Sequence, residues 1–345
     1  MALKGIRVVE LAGLAPAPFC GMILADFGAS VIRIDKVGIG SSMDRLARGK
    51  RSLALDLKQP DGVRILANLT KQSDVLIEPF RPGVMEKIGL GPKEAMALNP
   101  GLIYARLSGY GQTGPMKHAA AHDINYLAIS GLLSLMGGSP SVRPTPPLNI
   151  VADFAGGGLL CAFGILAALF ERQKSGMGQV IDSSLTEGAA YTGSWLYSSQ
   201  TSDMIWPKPG QRGANLLDGG YPLYQTYQTK DQKWMAVGAL EPQFAQAFFE
   251  GLGTNLSISD LSMSREDLKA KIAERFLQKT QAEWVECFKH LDACVTPILS
   301  LEEAARNPHA QERGAFHKGC YGNEPRPAPS LSRTPALAQM DSHLE

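Results

Sequence analysis

Apolar residues follow two alternating spacings over the first 110 residues of the chain. Short apolar runs, typical of buried strands, are separated by stretches in which apolar residues recur at helical spacing. The strand-like runs are IRVVEL (6–11), SVIRID (30–35), SLALDL (52–57), DVLIEPF (74–80) and LIYARLSGYG (102–111). Helical stretches run over 19–27, with Gly28 as the expected C-cap, 61–72 and 92–98. This alternation predicts an α/β fold with a doubly wound, Rossmann-like parallel sheet that binds ligands at the carboxyl ends of its strands.

The pattern changes in the second half of the chain. A long apolar helix is expected over 152–172, followed by the strand QVIDSS and a helix from near Leu185. Beyond an irregular stretch, YPLYQTYQT and KWMAVGAL flank KDQ as an antiparallel hairpin, and three helical stretches follow (241–252, 265–278 and 281–290). We therefore predict a large Rossmann-like domain of residues 1–200, to which a tail of 321–345 returns, a linker of 201–222 and a small α+β domain of 223–320.

Composition limits the classes of function. The formal net charge of +1 argues against general binding of nucleic acid or of an anionic membrane. The longest apolar run, from Ala155 to Phe170, has 16 residues, which is short for a membrane span and indicates a buried helix. Five cysteines have no metal-ligand spacing, so we expect free thiols, a reducing compartment and no metal site. The N-terminal MALKGIRVVEL has no secretory-signal pattern.

The first strand–helix turn, LAGLAPAPFCG, occupies the position of a dinucleotide-binding loop but lacks GxGxxG. It has two prolines where a pyrophosphate would need glycine backbone. Asp35 ends the second strand, where NAD enzymes have a ribose-binding acid. Without the glycines, we expect a Rossmann-like sheet with no NAD site.

Basic residues cluster close to the expected ligand edge. They suit either a solvated surface or a polyphosphate ligand that is bound without a glycine loop. The sequence leaves both interpretations open, although Arg81 and Lys87 in PFRPGVMEK favour the second. The cluster consists of Lys36, Arg45, Arg48, Lys50, Arg51 and Lys58.

AAAHDINYLAIS places His122 and Asp123 at the start of an apolar segment, where packing alone would need neither. Asp153 begins the long apolar helix, either as an ordinary N-cap or as an acid/base group. The N–H groups of that helix start could stabilise an oxyanion, and glycines 156–158 would let a ligand approach closely. Glu241 either begins a helix as an N-terminal acid or orients an imidazole.

These motifs resemble the family III CoA-transferase superfamily and, within it, the α-methylacyl-CoA racemases. The resemblance extends over nearly the whole chain, in order. The stretches that carry it are VVELAGLAPAPFCGMILADFGA, KRSLALDLKQP, DVLIEPFRPGVMEK, GLIYARLSGYGQTGP, HDINYLAISG, PPLNIVADFAGGG, GQVIDSSLTEG, GANLLDGG, VGALEPQF, DACVTPILS and RPAPSLSRTP.

The resemblance implies roles for individual residues. His122 and Asp153 would be the two acid/base residues, and Glu241 would pair with His122. No metal or redox cofactor is implied, because coenzyme A is the carrier part of the substrate. Contacts to coenzyme A would come from Lys36, Leu55, Asp56, Leu57, Lys58, Pro79, Phe80, Arg81, Lys87, Ala121, His122, Asp123, Ile124, Asn125 and Tyr126.

The chain departs from the family pattern in three places. Ala121 replaces a common glycine, which would cost energy if φ is positive there. Lys36 and Lys87 stand where relatives often have arginine, which keeps the charge but loses bidentate geometry. The chain also stops soon after RTPALAQM, where relatives can have a further helical segment.

The resemblance also implies the family fold, assembled as an interlocked homodimer. A cytoplasmic location is expected, or a mitochondrial or peroxisomal one in a eukaryote, although the final SHLE is not a clean peroxisomal signal. The acyl chain would lie over an apolar surface. Met43, Tyr126, Leu223 and Tyr224 either line that surface or belong to the core.

The implied activity is racemisation of 2-methylacyl-CoA thioesters by two bases on opposite faces of the α-carbon, through an enolate. General acid/base catalysis supplies a rate acceleration of about 10²–10⁴-fold, which is too little for the weakly acidic α-proton of a thioester. Backbone donors at the helix start of Asp153 would therefore stabilise the enolate oxygen. The alternative is CoA transfer between carboxylic acids, in which Asp153 is a nucleophile. GALEPQF stands where transferases carry a glycine-rich loop, which favours the racemase. A non-enzymatic CoA-binding protein is the third hypothesis.

Overall fold

The computed structural model describes residues 1–38 and 44–338, which form two compact units. The first unit contains the described residues of 1–132, 147–194 and 308–338, and the second contains 133–146 and 195–307. These boundaries differ from the predicted domains in three ranges, and the predicted linker of 201–222 belongs to the second unit. Residues 133–146 and 195–200 lie in the second unit, and residues 308–320 lie in the first.

A six-stranded parallel sheet forms the centre of the first unit, which confirms the predicted doubly wound fold. Its strands are β1 (Arg7–Leu11), β2 (Ser30–Asp35), β3 (Lys50–Ala54), β4 (Val75–Glu78), β5 (Ile103–Ser108) and β6 (Gln179–Ser184). Their order is β3-β2-β1-β4-β5-β6. The order reverses between β1 and β4, and sheets of this kind bind ligands outside the carboxyl ends at that position.

Strand β3 begins and ends earlier than the predicted 52–57. The Lys58 N–H donates to Asp56 Oδ1 at 3.0 Å, and this turn ends the strand before the next helix. A Cβ on Gly62 would lie 2.2 Å from the Asp56 carbonyl oxygen, so the turn packs directly on the helix start. Leu55–Lys58 is therefore a loop at the carboxyl edge of the sheet.

Apolar layers cover both faces of the sheet, because consecutive strand residues point to opposite faces. Val8, Ile77 and Ile103 belong to one buried cluster, and Val9, Leu76 and Tyr104 belong to the other. The helices of this part are α1 (Pro16–Asp26), α2 (Pro60–Lys71), α3 (Val84–Lys87), α4 (Pro92–Leu98), α5 (Asp123–Ile129), α6 (Leu160–Ser175) and α7 (Leu185–Thr192). Helix α1 begins three residues before the predicted start, since proline is well tolerated in a first turn.

Helix α6 continues a π-helical segment, Ile150–Leu159, without a break. The resulting helix, Ile150–Ser175, has 26 residues and a mean hydropathy of 1.9 in its most apolar window, so its length and composition would suffice to cross a membrane. One side of α6, including Cys161, Ile165 and Ala168, is buried in the core of the first unit. The opposite side carries an exposed apolar stripe of Leu159, Phe163, Leu166 and Phe170. The prediction of a buried helix is thus correct for one side only.

The second unit contains the predicted hairpin and its helices. Strands β7 (Tyr224–Gln228), β8 (Trp234–Gly238) and β9 (Val295–Pro297) form an antiparallel sheet. Its core includes Phe248, Phe276 and Trp284. The remaining helices of this region are α8 (Ser194–Ser198), α9 (Pro242–Leu252), α10 (Arg265–Phe276), α11 (Gln281–Phe288) and α12 (Leu301–Arg306).

The chain then returns to the first unit through α13 (Pro308–Glu312) and the hairpin β10 (Phe316–Gly319) and β11 (Gly322–Pro325). Arg48 fastens this hairpin, because its guanidinium donates to the Pro325 carbonyl at 3.2 Å and to Asp26 at 2.7 Å. The Leu337 N–H donates to the Asp26 carbonyl at 3.0 Å. The tail therefore packs against the end of α1.

Candidate active site

The loops that carry the predicted ligand residues all follow carboxyl ends of the parallel sheet. Lys36 follows β2, Leu55–Lys58 follows β3 and Pro79–Arg81 follows β4. At the reversal point, a Cβ on Gly13 would lie 2.7 Å from Pro79 Cγ, so the turn after β1 contacts the turn after β4. This close packing explains the glycine. Asp35 accepts hydrogen bonds from Arg33 and Ser52.

His122 is exposed and stands as the N-cap of α5. Its backbone N–H donates to Asn125 Oδ1 at 3.1 Å, which fixes the entry into the helix. Tyr126 donates its hydroxyl to the Ala121 carbonyl at 2.8 Å. The described non-glycine residues with positive φ are Leu148, Gln232 and Cys294, so Ala121 adopts a conformation that alanine tolerates. The replacement of glycine therefore introduces no backbone strain.

The Asp123 side chain is buried and faces the protein interior. Its Oδ2 accepts the backbone N–H groups of Ala152 at 2.9 Å and Asp153 at 2.8 Å. These are two of the N–H groups that were expected to stabilise an enolate oxygen, so the prediction of an oxyanion site at that helix start is wrong for both. Any contribution of Asp123 to coenzyme A binding has to come from its backbone.

Asp153 lies in the first turn of the π-helical segment and is only partly exposed. Burial raises the pKa of its carboxyl group, and the charge of Asp123 adds to the increase. A hydrogen bond from Asn149 Nδ2, at 3.2 Å, and the nearby His122 act in the opposite direction. The net pKa is above the usual value for aspartate, and the two candidate acid/base residues are close enough to interact.

Tyr126 lies in the same neighbourhood. Burial raises the pKa of its phenol, Asp153 adds to the increase, and the positive charge of Arg81 opposes it. The Tyr126 ring packs edge-on against Tyr110, with 5.1 Å between centroids. A Cβ on Gly109 would lie 2.2 Å from the Tyr126 ring, so only glycine leaves room for this ring. The structure thus brings Arg81, Tyr126, His122 and Asp153 to one edge of the first unit.

Glycines 156–158 do not face a ligand, contrary to the prediction. A Cβ on Gly156 would lie 2.4 Å from the Ala189 nitrogen, and a Cβ on Gly158 would lie 2.6 Å from the Pro16 carbonyl oxygen. Both glycines are buried. They allow the helix to cross α7 and α1 at backbone distance, and that packing explains the glycine run.

The basic cluster separates into structural and available cations. Lys50 is buried, forms a 2.7 Å ion pair with Glu10 and donates to the Pro18 carbonyl at 2.7 Å. Arg48 pairs with Asp26. Arg45 lies over the Tyr321 ring, and Arg51 donates to Ser30 Oγ at the amino end of β2. Among the described residues, the exposed cations that follow carboxyl ends of the sheet are Lys36, Lys58, Arg81 and Lys87. The polyphosphate interpretation therefore applies to only part of the cluster.

Glu241 belongs to the second unit, where it is exposed and is the N-cap of α9 directly after β8. It lies near Cys294, whose pKa is raised by burial and by the charges of Asp292 and Glu241. In the same unit, Tyr224, Gly238 and Cys294 line a cavity of about 520 Å³. The pairing of Glu241 with His122 stays a prediction. Leu223 is buried in the core of this unit, and Met43 lies outside the described residues.

The sheet order and the composition of this edge define a class of protein. The sequence profile of CoA-transferase family III matches residues 3–342, and the chain belongs to this family. The α-methylacyl-CoA racemases of Mus musculus and Homo sapiens are 55% and 54% identical to it over 341 residues, which is 98% of this chain and 88% of each relative. The predicted resemblance is confirmed.

Two further comparisons define the breadth of the family. The succinyl-CoA–D-citramalate CoA-transferase of Chloroflexus aurantiacus is 37% identical over 253 residues, which is 69% of this chain and 61% of that protein. The crystal structure of a CAIB/BAIF family protein from Brucella suis superposes with a TM-score of 0.82 at 25% identity, covering 98% of this chain and 94% of that one.

Sequence reasoning missed the residues that support the site. It did not anticipate the Asp123 side chain, whose partner Asp153 is 30 positions away. It also missed the hydrogen bond from Asn149 to Asp153, although their helical spacing of four residues was an available signal. It also missed Glu78 and Arg106 inside buried strands. A charged residue within an otherwise apolar strand was the available signal.

Proposed function

We propose that this protein interconverts (R)- and (S)-2-methylacyl-CoA thioesters by moving the α-proton from one face of the carbon to the other. The observation that carries the proposal is the partly buried Asp153, with its raised pKa, beside His122 on a second segment that Asp123 holds in place. The similarity to two α-methylacyl-CoA racemases over 98% of the chain supports the same assignment.

In the proposed reaction, one of these residues takes the α-proton and the C–H electrons form the enolate. The other residue then delivers its own proton to the opposite face, and the configuration of the carbon inverts. The net charge of the two residues is restored, with their protonation states exchanged. Each residue has to be base in one direction and acid in the other. The raised pKa of Asp153 suits this exchange, because a carboxyl group that is protonated more readily than usual can act as an acid as well as a base.

Glu241 is proposed to orient the imidazole of His122 and to stabilise its protonated form. The enolate oxygen needs hydrogen-bond donors other than the N–H groups of Ala152 and Asp153, since Asp123 already accepts from both. For coenzyme A, the exposed cations at the carboxyl edge are proposed to bind the phosphates. They are Lys36, Lys58, Arg81 and Lys87.

CoA transfer between carboxylic acids is the second candidate, because transferases belong to the same family and Asp153 could act as the nucleophile. The greater identity to the racemases, over more of the chain, favours racemisation.

Incubation of one enantiomer of a 2-methylacyl-CoA in D₂O distinguishes these activities. A racemase produces the other enantiomer with one solvent deuterium at the α-carbon, measured by chiral chromatography and mass spectrometry. A transferase moves coenzyme A to an added free acid and leaves the α-proton in place. That second result, without exchange, would exclude the racemase.

We also propose that the chain forms a homodimer and that the exposed apolar stripe of α6 lies in the interface. The supporting observation is that Leu159, Phe163, Leu166 and Phe170 are each at least 40% exposed on a single side of one helix. Contiguous apolar surface of this kind ordinarily marks an interaction site. The interlocked arrangement that the resemblance implies would cover it.

A further inference from the structure

Arg106 lies within strand β5, between β4 and β6 of the parallel sheet, where the neighbouring positions are apolar and buried. The residue is only 7% exposed, and its guanidinium bonds two carboxylates at once. Nε donates to Glu78 Oε2 at 3.0 Å, while Nη1 and Nη2 donate to Glu86 Oε1 and Oε2 at 2.8 and 3.2 Å. The bidentate contact to Glu86 fixes both the position and the orientation of that carboxylate.

The two carboxylates lie at opposite ends of one short segment. Glu78 ends strand β4, and its second oxygen, Oε1, accepts the Phe80 N–H at 2.8 Å. Glu86 lies in helix α3, which the chain enters through Gly83 at φ +86°. Arg106 therefore fixes both ends of the segment 79–87 through the carboxylates of Glu78 and Glu86.

This segment displays two of the four exposed cations of the carboxyl edge. Arg81 lies directly after the turn that Glu78 fixes, and Lys87 directly follows Glu86. No hydrogen bond or ion pair joins either cation to Arg106 among the described residues, so the network acts on them through the backbone from which they project.

The charges of the network also fit a site next to a polyanion. Partial burial opposes ionisation of Glu86, but the hydrogen bonds and charge of Arg106, together with backbone hydrogen bonds at the start of α3, lower the pKa of the carboxyl below its usual value. Burial raises the pKa of Glu78 to about 7, although Arg106 lies beside it. One guanidinium thus binds the ionised carboxylate of Glu86 and the carboxyl group of Glu78, which is partly protonated near neutral pH. The network therefore leaves little net negative charge beneath the proposed ligand.

A purely structural role would predict a different outcome. Buried ion pairs are weak contributors to stability, and an apolar set would hold the sheet as well. A positioning role predicts that detaching the exposed end of the network weakens ligand binding and leaves the sheet intact.

We propose that Arg106, with Glu78 and Glu86, is a positioning network that presents Arg81 and Lys87 to the phosphates of coenzyme A; this rests on the proposed function for the identity of the ligand. The network does not touch the reacting carbon. Its effect belongs to ligand affinity and not to the proton-transfer step.

The test uses variants of Glu86, whose side chain is 43% exposed, so its replacement leaves the interior of the sheet intact. Glu86→Ala detaches α3 from Arg106. Glu86→Gln removes the charge but keeps an oxygen that can accept from the guanidinium. Glu94→Ala is the matched control, because Glu94 is an exposed acid that also lies against Gly91 and does not bond Arg106.

Calorimetric titration with coenzyme A alone measures affinity without catalysis. We expect Glu86→Ala to raise the Kd for coenzyme A and the KM for the thioester together by about tenfold, the size expected for a lost charge-assisted contact. The kcat should stay within about twofold, since the acid/base residues are untouched. Glu86→Gln should recover most of the affinity, and Glu94→Ala should bind as the wild type does.

Unchanged coenzyme A affinity in Glu86→Ala would overturn the proposal. Equal losses in Glu86→Ala and Glu86→Gln would also overturn it, because they would show an effect of charge and not of position. If neither the wild type nor any variant racemises the thioester but coenzyme A binding still depends on Glu86, the proposed function fails while the positioning network stands. If racemisation is present and binding ignores Glu86, the network fails alone.

Discussion

Asp123 Oδ2 accepts the backbone N–H of Asp153 at 2.8 Å, and the two residues are 30 positions apart in the sequence. The residue that precedes Asp123 is His122, so one buried carboxylate connects the two segments that contain the proposed bases. The other oxygen of Asp123, Oδ1, is buried and makes no hydrogen bond to a described residue. The spacing of the two bases therefore depends on one side chain that need not touch the substrate.

Replacement of Asp123 separates this positioning role from its charge. Asp123→Ala removes the acceptor for both N–H groups, and we expect kcat to fall by at least about tenfold because unpaired buried donors disturb the helix start. Asp123→Asn keeps an acceptor oxygen and should lose less. Steady-state kinetics on both enantiomers measures this; equal losses in the two variants would argue against a positioning role.

The pH dependence of Asp123→Asn follows from its charge. The pKa of Asp153 is raised first by burial and further by the Asp123 carboxylate, so removing that charge lowers the pKa of Asp153. The limb of the kcat profile that reports Asp153 should move to lower pH, in both reaction directions. An unshifted limb would show that Asp123 does not influence the titration of Asp153.

A two-base mechanism predicts the same result for both enantiomers. His122→Ala and Asp153→Ala should each abolish racemisation in either direction, because inversion needs a proton donor on the face opposite to the base. Chiral chromatography after single-enantiomer incubation measures this loss. If either variant kept near-normal turnover, the assignment of that residue would be wrong.

The crossing of α7 over the π-helical segment predicts a stability effect at Gly188. A Cβ there would lie 1.9 Å from the Gly156 carbonyl oxygen, so Gly188→Ala should lower the free energy of unfolding by about 3 kcal/mol. Gly164→Ala is the control within α6, where the nearest atom is 3.5 Å away and alanine should add up to about 1 kcal/mol. Denaturant unfolding compares the two, and similar midpoints would contradict the packing argument.

The exposed stripe on α6 predicts a specific effect of charge on assembly. Phe163→Glu should convert the proposed dimer to a monomer in light scattering, while Leu98→Glu on α4, another exposed apolar position, should leave that dimer intact. Dimers that persist in Phe163→Glu would place the interface elsewhere. Vesicle binding by the wild type that Phe163→Glu loses would identify the stripe as a membrane surface.

Glu78 predicts a contribution of pH to stability. Burial raises its pKa from 4.5 to about 7, so the unfolded chain releases this proton at lower pH than the folded chain does. Its stabilising contribution is complete below about 4.5 and is lost as pH rises through about 7, with a loss of up to about 3 kcal/mol. Glu78→Gln should flatten this part of the profile in denaturant unfolding at pH 5 and 8. A profile that matches the wild type would refute the assignment.

The fold was accessible to sequence reasoning because its signal is local. Runs such as IRVVEL and DVLIEPF are apolar on both faces, as strands covered on two sides must be, and the intervening helices end at glycines or begin at prolines. Boundaries shifted where a turn hydrogen bond decided them, as at Asp56 after β3.

The site was less accessible because its chemistry depends on distant partners. A run of glycines such as 156–158 is compatible with a close ligand or with a close helix crossing. The positions of Gly188 and Pro16 in the fold show that it serves a helix crossing. Asp153 is recognisable from the resemblance, but the burial that raises its pKa and the contact with Asp123, 30 positions away, cannot be inferred from spacing.

The buried pair of Lys50 and Glu10 has a consequence for how this protein responds to salt. Because Lys50 cannot leave Glu10 without exposing an uncompensated charge to the interior, it is not available to a passing anion, and Arg48 is similarly engaged with Asp26. Ionic strength acts mainly on exposed charges. The attraction of this edge for a polyanion is therefore set by a few exposed side chains. Both its strength and its dependence on ionic strength are smaller than the number of basic residues in the sequence implies.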